Sequence, residues 1–117
     1  MDLKEVYKQV QGNYEDVMRR FMSEERVKKY LLKLTQEELF LPIKEALEAE
    51  DYETAFRESH NLKGLCANLG LEKLCLSAAD LTEILRNGKP SEDVTPYLTA
   101  VEEDYSLTMQ GLKKMQE

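Results

Sequence analysis

Residues 59–70 read Ser-His-Asn-Leu-Lys-Gly-Leu-Cys-Ala-Asn-Leu-Gly, and their apolar spacing decides what kind of chain this is. Carried back to residue 52, Ala55, Ser59, Leu62, Cys66 and Leu69 step by four and three. That is the period of a helix face packed against a core. Phe56, His60, Lys63 and Ala67 step the same way about 100° around the helix, which sets His60 at the flank of the core. Asp51 is the expected cap and Gly70 the expected stop, giving a helix over roughly 52–69.

The same period extends outward in both directions. Downstream, Leu74, Ala78, Leu81 and Leu85 mark a helix from about Leu71 to Asn87, broken by Gly88-Lys89-Pro90. From about Glu92 a last helix repeats at Val94, Leu98, Val101, Tyr105, Thr108, Leu112 and Met115. Upstream, Val6 and Val10 begin a short helix that Gly12-Asn13 ends, and Val17, Met18 and Phe21 mark a second. Ser23 can cap a helix carrying Val27, Tyr30, Leu31 and Leu34. Thr35-Gln36-Glu37-Glu38 matches a capping box, which predicts a restart there, with a kink or break near Pro42. Leu39, Ile43, Ala46 and Leu47 give that segment one apolar face.

No β-type alternation persists and no repeat is visible. The expected fold is all-α: an antiparallel four-helix bundle with additional short N-terminal helices. One domain is expected over 1–117, with the core bundle over about 23–116 and a helical extension over 1–22.

The composition excludes several function classes. Sixteen basic against twenty-three acidic residues leave a net charge of −7, which disfavours nucleic acid and anionic membranes as partners. The N-terminus, Met-Asp-Leu-Lys-Glu, lacks the apolar core of a signal peptide. The longest apolar run, Leu39 to Ile43, is far short of the roughly 20 residues that span a bilayer. A cytoplasmic location is expected. Cys66 and Cys75, the only cysteines, read as two buried free thiols. With no C-x-x-C or H-x-x-x-H pair, no metal site is assigned.

His60 is the only histidine. Lys63 one turn on and Arg57 one turn back put two cations beside it in an acidic chain, a reversal that suits a group gaining about two negative charges. Gly64, on the same face at the fourth position, costs a helix about 1 kcal/mol relative to alanine. Close approach of another protein's backbone would account for it, and so would a helix–helix contact. Ala67 keeps the strip low one turn further.

His60-Asn61-Leu62-Lys63-Gly64, then Gly70, Leu74 and Leu81, resembles the histidine phosphotransfer (HPt) domain pattern, H-x-L-K-G with a glycine ten residues after the histidine. Ala46-Leu47, Asp51-Tyr52 and Ala55-Phe56 resemble the family's approach to that motif, so the likeness covers roughly 23–116. The resemblance implies that His60 Nε2 accepts a phosphoryl group from an aspartyl phosphate of one receiver domain and passes it to the aspartate of another. Lys63 would pair with the phosphoryl oxygens and Gly64 would clear the approach. Family members often carry a glutamine twenty-two residues after the histidine; this chain has Thr82 there, with Glu83 beside it.

No Walker loop or kinase glycine loop is present, so a phosphoryl carrier without a nucleotide site is expected rather than an enzyme. No cofactor is assigned to this chain, and Mg2+ is expected in the partner. The implied partners are response-regulator receiver domains, with a hybrid sensor kinase as a further candidate; a monomer is expected. Val17, Met18, Phe21 and Met22 form an apolar cluster that reads either as a cap on the core or as a receiver-docking patch. The rival reading is a helical interaction module that binds without moving phosphate.

Overall fold

Helix starts follow the side chains able to satisfy the unpaired N–H groups of a first turn. In the computed structural model, which describes residues 1–116, Asp2, Asn13, Ser23 and Asp51 accept from Glu5, Asp16, Arg26 and Thr54 N–H. They open α1 (Leu3–Gln9), α2 (Tyr14–Phe21), α3 (Glu24–Thr35) and, after α4 (Leu41–Glu48), α5 (Tyr52–Asn68). The bonds from Thr54 also hold the Asp51 carboxyl below the usual carboxylate range. Helices α6 (Glu72–Ile84) and α7 (Thr95–Lys113) follow, and a 3-10 turn, Lys114–Gln116, ends the described chain. Among the described residues the structure is all-helical.

Helix α5 lies between α4 and α6, α6 packs in turn on α7, and α3 covers α7 from the N-terminal side. The apolar stripes meet at the centre. Ala55, Leu62 and Cys66 of α5, Leu74, Ala78 and Leu81 of α6, and Val101 and Leu112 of α7 are all buried.

Three expected boundaries moved. Thr35 closes α3, its hydroxyl donating to Leu32 O at 2.6 Å, so the predicted capping box does not start a helix. Glu38 serves the next helix instead: its Oε1 accepts from Leu41 N–H at 2.8 Å. Pro42 falls in the first turn of α4, where its missing N–H would have had no intrahelical partner, and no kink is needed. Helix α6 stops at Ile84 rather than near Asn87, turning out through Leu85 to Gly88. Helix α7 begins at Thr95 rather than Glu92, with Asp93 accepting from Thr95 N–H at 3.0 Å and Pro96 in the first turn.

The N-terminal helices are keyed to the turn that ends α5. Tyr7 O–H donates to Leu69 O at 2.6 Å, and Asn13 N–H donates to Gly70 O at 2.8 Å. Burial pushes the Tyr7 phenol well above its usual value. Arg20 of α2, ion-paired with Asp16 at 3.0 Å, donates to the Ala67 carbonyl. A Cβ on Gly12 would stand 2.8 Å from Gly70 O, and one on Gly70 would stand 2.9 Å from Asn13 O. Gly70 also has φ +66°, which a side chain rarely adopts.

Gly70→Ala should therefore lower stability by about 2 kcal/mol through strain and lost contact, read as a reduced urea midpoint. An unchanged midpoint would mean that the N-terminal arm does not grip this turn.

Candidate functional site

The Asp51 N–H bond to Ala46 O of α4 (2.8 Å) and the lock at Gly70 hold the two ends of α5. Ser59, Leu62 and Cys66 point inward, while His60, Gly64 and Ala67 of the next strip are exposed and Lys63 is half-buried. Among the described residues, no group hydrogen-bonds the His60 ring. Its aromatic neighbour is Phe56, one turn earlier, with ring centroids 5.8 Å apart and planes at 80°.

Phe56 is half-buried and packs against the core. The Arg86 guanidinium of the segment following α6 lies 5.6 Å from the Phe56 ring centroid. Arg86 Nη2 and Nε donate to Glu83 Oε2 at 3.0 and 3.2 Å. Glu53, Phe56, Arg57, His60 and Asn61 line one shallow depression of about 440 Å³. Arg57 Nη2 donates weakly to Thr54 Oγ1 at 3.4 Å. No carboxylate pairs with Lys63 or Arg57 among the described residues. A doubly negative group on the exposed ring would thus have a cation one turn away on either side.

Beyond the adjoining backbone of α5 itself, no atom of the described residues lies within 4 Å of where a Gly64 Cβ would stand. A helix–helix contact inside this chain is therefore not what Gly64 serves. The strip His60, Lys63, Gly64, Ala67 is open to an incoming surface.

Several sequence candidates stand elsewhere. Thr82 is 1% exposed, in the α5–α6 seam. Its Oγ1 donates to Ala78 O at 2.7 Å and lies 3.1 Å from Ser59 Oγ, so it does not reach the exposed ring. Glu83 is exposed and paired to Arg86. Val17 is 0% exposed and belongs to the core, which removes it from any docking patch. Met18 and Phe21 are half-buried against that core, and the Phe21 ring leans on Tyr30 at 5.3 Å. Met22 is 84% exposed at the bend between α2 and α3.

The cysteines also differ from expectation, because only Cys66 is buried. Burial pushes the Cys66 thiol up to about 12. Cys75 is half-buried and donates to Lys63 O at 3.7 Å. Burial raises its thiol too, partly offset by the nearby Lys63 and Arg20 charges. Among the described residues, no three His, Cys, Asp or Glu side chains gather as metal ligands. Among the described residues, no helix is long and apolar enough to cross a membrane.

Two residues at the site escaped the sequence reading. Phe56 was visible only as a member of the strip, and Arg86 carried no signal because it follows the periodic part of its helix.

A family model described as Hpt domain matches residues 31–111, from within α3 to near the end of α7. No curated protein and no solved structure matched the chain.

With no neighbour to fill the space, Gly64 weakens α5 without a packing return. Gly64→Ala is expected to raise stability by about 0.5–1 kcal/mol, measured by chemical denaturation. A loss of stability would reveal a steric conflict that the open space does not suggest.

Proposed function

The chain belongs to the Hpt domain family, whose members are phosphotransfer modules of two-component signalling, and from that premise we propose that His60 is the phosphoryl carrier. In this reading the Nε2 lone pair attacks the phosphorus of a receiver's aspartyl phosphate. The N–P bond forms as the P–O bond to the aspartate breaks, and the carboxylate leaves. The return step onto another receiver's aspartate reverses those bonds.

Such transfer depends on alignment and on neutralising charge spread over the equatorial oxygens. Lys63 and Arg57 supply cations from this side, and the receiver supplies Mg2+. Gly64 and Ala67 leave room for the receiver's backbone over the ring. Of the apolar cluster, exposed Met22 and half-buried Phe21 are the residues we assign to receiver contact. The chain acts as a carrier rather than a classical enzyme, and the proposed setting is a cytoplasmic monomer meeting receiver domains, one of them on a hybrid sensor kinase.

The observation that carries this reading is the exposed His60 ring, with two cations that no carboxylate pairs, beside the open space at Gly64. One observation favours the rival, a module that binds receivers without moving phosphate: Thr82 turns inward, so position 82 gives the ring no hydrogen bond.

Incubation with a phosphorylated receiver separates the two. The carrier reading expects an acid-labile, alkali-stable label on the wild type, none on His60→Gln, and label uptake about tenfold slower in Lys63→Ala, the worth of one charge-assisted contact. A receiver that binds the wild type and leaves it unlabelled supports the module.

A further inference from the structure

A carrier histidine has to present Nε2 along the line of transfer, and small errors of placement are costly. The His60 ring is exposed, and an imidazole has a broad, loosely defined χ2. Among the described residues nothing hydrogen-bonds it. What touches it is Phe56, nearly perpendicular at 80° with centroids 5.8 Å apart, an arrangement that aromatic pairs favour.

Phe56 is not itself loose. Its inner side packs on the core, and Arg86 lies 5.6 Å from its ring centroid within cation–π range. Arg86 is held in turn through two nitrogens by Glu83 Oε2. The contacts run Glu83, Arg86, Phe56, His60, and they cross from the α6 side of the hairpin to α5. Thr82, buried between the same helices, makes no such crossing to the ring.

Resting on the carrier reading above, we propose that Phe56 is the positioning residue for the His60 imidazole and that Arg86 acts through it, holding the Phe56 ring from the α6 side. Support that a hydrogen bond from position 82 does not give is thereby supplied by an aromatic face. Neither residue needs to touch the phosphoryl group.

His60 is the only histidine, so its imidazole protons give a single readable set of NMR signals. In Phe56→Leu, which keeps apolar bulk but loses the ring, those signals should lose their ring-current displacement and report an averaged side chain. Label uptake from a phosphorylated receiver should fall about tenfold. Phe56→Tyr, which keeps the ring, should restore both. Arg86→Gln, at an exposed position, should shift the same signals in the same direction and slow uptake about threefold; it decides the matter should Phe56→Leu not fold.

Unmoved His60 signals in the variants would overturn the proposal, and so would averaged signals with wild-type uptake. A wild type that takes no label fails the carrier reading instead, while the NMR comparison still decides whether Phe56 anchors the ring.

Discussion

Gly70 is held from two directions. Its carbonyl accepts from Asn13 N–H at 2.8 Å, and Gly12 stands against that same oxygen with no space for a side chain. Tyr7 takes the neighbouring Leu69 carbonyl and Arg20 the Ala67 carbonyl. Orphan carbonyls at the end of α5 thus find partners in the first two helices, where solvent or a simple cap would otherwise serve. The consequence is rotational. Asp51 N–H, donating to Ala46 O of α4 at 2.8 Å, ties one end of α5 and this lock ties the other, so the helix cannot turn about its axis without straining both. A turn of about 100°, one residue's worth, would carry the His60 strip into the core and expose Leu62 and Cys66.

The same register explains the electrostatics of the flank. In a chain of net charge −7, four cations meet carboxylates among the described residues: Arg19 and Arg20 pair with Asp16, Lys73 with Asp104, and Arg86 with Glu83. Lys63 and Arg57 do not, although Glu53 and Glu58 share their helix: neither glutamate stands three or four residues from Lys63. Glu53 stands four from Arg57, yet Arg57 turns to Thr54. Lys63 and Arg57 are set apart from the other unpaired cations by standing one turn to either side of the exposed His60 ring. They lower the energy of a negative group brought from outside, at modest strength while exposed to solvent and more strongly once a partner excludes water.

How much of this was legible in the sequence depends on how local the signal was. The stripes of α5, α6 and α7 follow from spacing alone, and Ser23 and Asp51 act as the caps that their residue types announce. The Thr35–Glu38 segment misled because its residues do the same chemistry in other places: Thr35 bonds back to Leu32, and Glu38 caps a helix three residues on. At the site, His60, Lys63 and Gly64 share one turn and could be read together. Thr82 could not be placed, since a threonine in a helix can satisfy itself on the carbonyl four residues back and then tolerate burial. Arg86 meets Phe56 only through the α5–α6 hairpin, a distance in sequence that no periodic argument crosses. Val17 looked like a surface candidate because α2 is short and its partners are remote.

The glycines show which demands arise inside the molecule and which arise beyond it. Gly12 and Gly70 are each explained by atoms of this chain that lie within 3.0 Å of a would-be Cβ; alanine there would force backbone apart. Gly64 has no such atom, and its helical backbone is one that any residue adopts. A glycine there carries the full entropic penalty of a helix interior with no contact to offset it. Stability alone would favour alanine at this position. Gly12 and Gly70 thus answer to contacts within the chain, whereas the space that Gly64 leaves beside His60 is open; under the carrier reading, a receiver's backbone is what would use it.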